Sequence, residues 1–250
     1  MPIPSSERIV FQRHPIREVI CQLRYPTILR LKTEPPAEFQ ERVQGDYPEY
    51  EEVVGTLGLE IKQTGLSQKT ETNHRFWNED HTRSITISSD FIALSDTNYQ
   101  GWSAFIKEVR QAQQALQEIY CPNSYKRVGL RYVNVVNRRE FGVEEKPWRE
   151  LLNSELLGIA GSEVADDLQQ TQSESTVRLQ GIAEAYVTLR HGLVLENNET
   201  SVFLIDSDFY TTTQCKEADL EQILNFFHEH AGNLARWWYT SHFREILGAC

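Results

Sequence analysis

Leu23-Arg24-Tyr25 recurs as Leu130-Arg131-Tyr132, and Ser89-Asp90-Phe91 recurs, in the same order, as Ser207-Asp208-Phe209. These echoes decide how the chain is read. Around the first triplet, Val19, Cys21, Leu23 and Tyr25 alternate with period two until Pro26 closes the run, which predicts a strand within Ile9–Leu31. Around the second, Lys126–Val136 predicts another. Pro35-Pro36, followed by Phe39 and Val43 at helical spacing and then Gly45-Asp46, predicts a short helix after the first strand, and Pro147–Leu157 predicts one after the second. Leu57–Gly65, Thr72–Trp77, Arg83–Ser88 and Phe91–Ser95 are β-prone pieces parted by polar turns such as Asn78-Glu79-Asp80. Trp102, Phe105, Val109, Ala112, Leu116 and Ile119 then recur at spacings of three and four, as an amphipathic helix requires.

The order β-α-β-β-β-β-α thus runs through the chain twice. The second echo is farther from its original than the first, as an insertion within the second meander demands, and the polar stretch Asp166–Glu174 is the place for it. The expectation is an α+β protein of two tandem units, residues 1–122 and 123–250, with curved antiparallel sheets packed by helices. Coincidence among strands of common composition is the competing explanation. In element order each unit is similar to half of the TATA-box-binding-protein fold, so the duplication would form a pseudo-two-fold saddle. A helix-grip fold, one long helix across a curved sheet, is the alternative, and neither architecture dictates a function.

With 25 Lys+Arg against 36 Asp+Glu, the net charge of −11 works against whole-molecule attraction to nucleic acid or anionic membrane. A local basic patch is still compatible with it. Cys21, Cys121, Cys215 and Cys250 contain no Cys-x-x-Cys pair, so they signal neither a zinc ribbon nor a disulfide framework and read as reduced thiols. The N-terminus lacks the apolar run of a signal peptide and no stretch is long enough to span a membrane, which predicts a cytoplasmic protein without a membrane partner.

The candidate site lies on the first strands of the two units. Arg8, Arg13, Arg17, Arg24, Arg30 and Lys32 crowd the first, and Lys126–Arg139 is basic without an acid. Arg24 and Arg131 each point to the face opposite the neighbouring Leu and Tyr, and paired guanidinium forks would suit a phosphate or carboxylate. The plainer reading is that they neutralise Asp90 and Asp208. Asp206 and Asp208 share one strand face, an arrangement open to Mg²⁺ or two-carboxylate chemistry, but Ser88 stands in the first unit where Asp206 stands in the second. Tyr25, Tyr132 and Asn134 complete the ligand or partner set.

His228 and His230 lie about 200° apart on a helix and cannot chelate one ion together. No His-Glu-x-x-His, Gly-x-Ser-x-Gly, dinucleotide or P-loop pattern occurs, and the reading assigns no catalytic residue, metal or cofactor. From Glu217 to Leu247 the apolar residues Leu220, Leu224, Phe227, Ala231, Leu234 and Trp238 form a heptad-like seam widened by further aromatics. One long helix is expected there, packed on the sheet, with Trp237, Trp238, Tyr239 and Phe243 as candidates for an exposed partner or dimer surface.

The chain resembles, nearly end to end, a sporadically distributed family of bacterial and archaeal proteins of similar length. The resemblance is carried by His14-Pro-Ile-Arg-Glu-Val19 with Arg24-Tyr25-Pro26, by Asp90-Phe-Ile-Ala-Leu-Ser95 followed by Tyr99, Trp102 and Phe105, by Arg127-Val-Gly-Leu-Arg-Tyr-Val-Asn134, by Trp148 with Leu151-Leu152, and by Ile205-Asp-Ser-Asp-Phe209. His14 departs from the Asn more usual in the family. The resemblance implies no established reaction. Its patchy occurrence implies genes that travel horizontally, as defence and toxin-antitoxin cassettes do. The function expected is non-catalytic recognition of a protein partner or a second copy. The rival is binding or processing of a small phosphorylated anion, and nucleic-acid binding must overcome the negative charge.

Overall fold

The computed structural model describes residue 9 and residues 11–62, 65–196 and 200–249, with side chains described outside 55–71 and 166. The strands and helices, in chain order, are β1 (Ile16–Arg24), α1 (Arg30–Thr33), α2 (Ala37–Val43), β2 (Glu49–Lys62), β3 (Gly65–Trp77), β4 (Arg83–Ile87), β5 (Phe91–Asp96), α3 (Trp102–Tyr120), β6 (Arg127–Val136), α4 (Arg138–Phe141), α5 (Trp148–Leu151), α6 (Ser154–Leu157), β7 (Ser173–Arg178), β8 (Ala185–Glu196), β9 (Thr200–Thr211), α7 (Leu220–Trp238) and α8 (Ser241–Ile246). The protein is therefore α+β, with antiparallel sheet and helices. No helix among the described residues is long and apolar enough to cross a membrane.

Two compact units are drawn from interleaved parts of the chain. The N-terminal unit is Ile20–Val128 with Gln214–Asp219, and the C-terminal unit is Met1–Val19, Gly129–Thr213 and Leu220–Cys250. In the first, strands are hydrogen-bonded in the order β2-β3-β4-β5-β1, and in the second, β1-β6-β9-β8-β7. β1 and β6 each contribute residues to both. In the N-terminal unit Lys126 N–H donates to Arg24 O at 2.7 Å, and in the C-terminal unit Val135 N–H donates to Pro15 O at 2.8 Å.

The N-terminal core follows from alternation. Ile85, Ile87, Ile92 and Leu94 are buried on β4 and β5, and the helical stripe Phe105, Val109, Ala112 and Leu116 of α3 is buried with them. Each large side chain of that stripe contributes about 1.5–3 kcal/mol by leaving water. Phe39 of α2 meets Phe76 of β3 at 5.6 Å between ring centroids. The predicted strand Leu57–Gly65 lies entirely among residues whose side chains are not described, and it includes 63 and 64, outside the described backbone.

In the C-terminal unit Phe209 of β9 packs on Phe227 of α7, so the odd residues of β9 face the helix. The second meander has three strands among the described residues, where four are expected from the sequence. Gly192 of β8 shows how closely the chain passes over the sheet there, because a Cβ at this position would sit 1.9 Å from the Thr171 carbonyl oxygen, and only glycine fits.

The short helix expected over Pro147–Leu157 and the long one expected over 217–247 are both broken, and the breaks explain each other. Pro147–Leu157 splits into α5 and α6 at Leu152-Asn153, while 217–247 splits into α7 and α8 at Tyr239-Thr240. Leu152 and Tyr239 form an isolated β-bridge. Asn153 donates from its backbone N–H to Trp238 O at 2.8 Å and from Nδ2 to Trp237 O, which satisfies two terminal carbonyls of α7. Thr240 N–H returns a bond to Leu151 O, and the Thr240 hydroxyl caps α8 by accepting from Phe243 N–H at 3.1 Å. Side-chain periodicity runs straight across both interruptions, so the pattern alone predicts continuous helices.

Candidate functional site

Of the expected site residues, Arg131, Asp206 and Asp208 fall on the face of the C-terminal sheet turned away from α7, and Arg24, Tyr25 and Asp90 fall in the corresponding corner of the N-terminal unit. Tyr132 and Phe209 contact α7, so by alternation Arg131, Asp206 and Asp208 occupy the opposite face. Arg131 stands directly across the ladder from Asp208. Its guanidinium nevertheless closes on Asp206, with Nε to Oδ1 at 2.7 Å and Nη2 to Oδ2 at 2.8 Å, a bidentate fork. Arg190 of β8, paired in register with Asp206, brings its Nη1 to 3.5 Å from Oδ2 and donates from Nε to Glu174 of β7 at 2.6 Å.

Burial grades this cluster from a hidden acid to accessible bases. Asp206 is 5% exposed, whereas Arg131 is 42% exposed and Arg190 39%. The bond to Asp206 raises the Arg131 pKa above an arginine's already high value, and the bond to Glu174 does the same for Arg190. Both groups are permanently cationic. Against these two guanidinium groups stand three carboxylates, Asp206, Glu174 and Asp208, the last also acting on Arg131. Thr188, opposite Asp208, and Tyr186 and Tyr210, stacked at 5.9 Å, extend the same face.

The N-terminal corner is simpler. Arg24 pairs with Asp90, and Tyr25, 1% exposed, donates its hydroxyl to Ser88 O at 2.8 Å and Phe91 O at 2.9 Å. Tyr25 N–H bonds to Asp90 O, so this triplet clamps the β4–β5 turn.

Other expected members belong elsewhere. Tyr132 and Asn134 point to the interior, where the Tyr132 hydroxyl meets His228 Nδ1 at 2.9 Å and Asn134 Nδ2 meets Ile205 O at 3.5 Å. They cannot share a surface with Arg131, one residue and three residues away on a strand. Arg17 is an exposed partner of Glu140. Trp238, Tyr239 and Phe243 are buried at the broken-helix junction and only Trp237 is half-buried, so three of these four aromatics serve packing rather than an open surface. Among the described residues no group of three or more His, Cys, Asp or Glu side chains is placed to hold a metal ion.

Sequence reasoning missed Arg190, Glu174, Thr188, Tyr186 and Tyr210. The polar alternation Tyr186, Thr188, Arg190 was the available signal, but it gains meaning only through the register with Asp208 and Asp206.

No family model and no curated protein matches the chain. Among solved structures, the crystal structure of the di-domain ARO/CYC StfQ from the steffimycin biosynthetic pathway aligns with 87% of this chain and 95% of its own length, at 10% identity and a TM-score of 0.16, a score that assigns no fold.

Proposed function

We propose that this is a non-catalytic binding protein that recognises a macromolecular partner, a protein, through the sheet face of Arg131, Arg190, Tyr186 and Tyr210. The observation that carries this reading is the condition of the charges. Arg131 and Arg190 are locked by Asp206 and Glu174 into a half-exposed, pre-ordered surface beside a stacked tyrosine pair. Fixed arginines and tyrosines suit recognition because little side-chain freedom is lost on docking. Capture of a small phosphorylated anion is the rival, and three carboxylates against two guanidinium groups work against it.

We also read the two units as halves of a duplicated, TATA-box-binding-protein-like arrangement. The last meander strand lies beside the first strand in each, β5 beside β1 and β9 beside β6, with the echoed triplets meeting there. The family resemblance supports a place in a mobile defence or toxin-antitoxin module.

The test is affinity capture from the native cytoplasm, with and without nuclease, read by native mass spectrometry. One stoichiometric, nuclease-resistant protein that is lost from the Tyr186→Ala/Tyr210→Ala variant while the melting temperature holds is the expected result. Turnover of a small molecule that disappears in Asp208→Ala would overturn it.

A further inference from the structure

The C-terminal unit ends in an exposed edge strand. β7, Ser173–Arg178, closes the order β1-β6-β9-β8-β7, and five of its six residues are exposed. Among the described residues no strand pairs with its other side, and Ser173–Arg178 make no backbone hydrogen bond outside the strand ladders. Edge strands are normally protected by charged side chains, especially Lys, or by Pro, a bulge or a covering loop, and of these β7 carries Glu174 and Arg178, one of each sign. β7 contains neither Lys nor Pro and pairs with β8 in unbroken register from Ser173↔His191 to Arg178↔Tyr186.

The hydrogen-bonding phase of this edge can be read directly. Leu179 N–H bonds to Ala185 O at 2.8 Å and Thr171 N–H to Leu193 O at 2.9 Å, in the same register as the ladder between them. The odd residues of β7 therefore direct their backbone groups to β8. The even residues, Glu174, Thr176 and Arg178, direct theirs outward.

We propose that β7 pairs antiparallel with β7 of a second copy about a two-fold axis through Thr176, joining the two sheets edge to edge. This register alone matches outward residues with outward residues and also matches charge. Thr176 meets Thr176 of the second copy, and Glu174 meets Arg178 on both sides of the axis. Each of the three facing pairs exchanges two backbone hydrogen bonds. Glu174, Thr176 and Arg178 also share one sheet face, so the two opposite-charge pairs form directly across the new ladder. Glu174 already holds Arg190 and Arg178 already holds Glu184, so the joined edge becomes an alternating row of acids and bases. The interface is isologous, as a closed dimer requires.

Sedimentation equilibrium of the full chain over a dilution series tests this. The expected mass is twice 29.0 kDa. Thr176→Pro removes an outward N–H and no backbone bond to β8; Thr176→Val, which loses the same 3.2 Å hydroxyl contact with Thr188 but keeps the N–H, is its control, so the proline variant alone should sediment as a folded monomer. Glu174→Arg and Arg178→Glu should each weaken the dimer about tenfold by placing like charges opposite each other twice. Mixed together, these two variants should form a heterodimer in which both pairs are again complementary. A wild-type mass of 29.0 kDa at every concentration overturns the proposal. So does a dimer indifferent to all three substitutions, or a monomer whose β7 edge takes up only an unrelated extended peptide. Loss of the protein partner described above would leave this result unaffected, since self-association is measured on the purified chain.

Discussion

Arg24 and Arg131 stand in echoed Leu-Arg-Tyr triplets, yet Arg24 ends on an accessible carboxylate, Asp90, 29% exposed, and Arg131 on a buried one, Asp206. One position accounts for the contrast. Two residues before the aspartate of the Ser-Asp-Phe triplet the N-terminal unit carries Ser88, fully buried, and the C-terminal unit carries Asp206. Ser88 offers Arg24 no second anion, so its guanidinium stays at the surface with Asp90. Asp206 captures Arg131 from Asp208, its directly opposed residue, because a carboxylate removed from water gains more from a bidentate fork than a hydrated one does. The same motif thus yields a surface ion pair in one unit and an internal anchor in the other.

The contrast can be broken most forcefully at the anchor. Arg131→Leu leaves Asp206 with only the longer contact to Arg190, and because Arg131 is itself partly solvated the expected loss is about 2–3 kcal/mol, below the full cost of stranding a buried charge. Urea denaturation measures it; a loss no larger than that of Arg24→Ala would erase the distinction between the units. Tyr25→Phe comes next. Its hydroxyl serves two buried carbonyls, so a loss of about 1–2 kcal/mol is expected, against a smaller one for Tyr132→Phe, whose hydroxyl meets His228 on a half-buried helix face.

A third comparison uses pH. Each unit has a histidine whose pKa is lowered by loss of solvent, the buried His74 in the first and the half-buried His191 in the second. Above the ordinary histidine range both are neutral in folded and unfolded chains, with no penalty. As the pH falls through that range the unfolded chain takes up protons first, so stability declines on acidification. His74→Asn and His191→Asn should each flatten the decline between neutral and mildly acidic pH, measured by melting temperature, and equal flattening would mean that the units share this property. The smallest effect belongs to Arg24→Ala, under about 1 kcal/mol, as for other exposed pairs.

Much of this contrast was legible beforehand, and its limits are instructive. Alternation along Val19–Tyr25 and Lys126–Val136 placed both arginines opposite their Leu and Tyr neighbours, and the spacing from Trp102 to Ile119 located α3 to within a residue. These are properties of short segments. The choice of Asp206 over Asp208 was not legible, because both acids share a face and only the β8 register, with Arg190 opposite Asp206, together with burial, separates them. Trp238, Tyr239 and Phe243 looked like a docking surface for a similar reason. Apolar periodicity reports that residues are covered, and it does not report by what.

By itself, then, the amino-acid sequence determined the α+β class, the helix and strand periods and the strand face on which each of the two arginines stands, because these depend on residues a few positions apart. Tertiary structure alone decided where the helices break, since the interruption at Thr240 is stabilised by Leu151 and Asn153 from another part of the chain. It likewise decided which aspartate is buried and which backbone groups of β7 point outward. Those depend on register between strands distant in sequence, and register is set by the packing of the whole sheet.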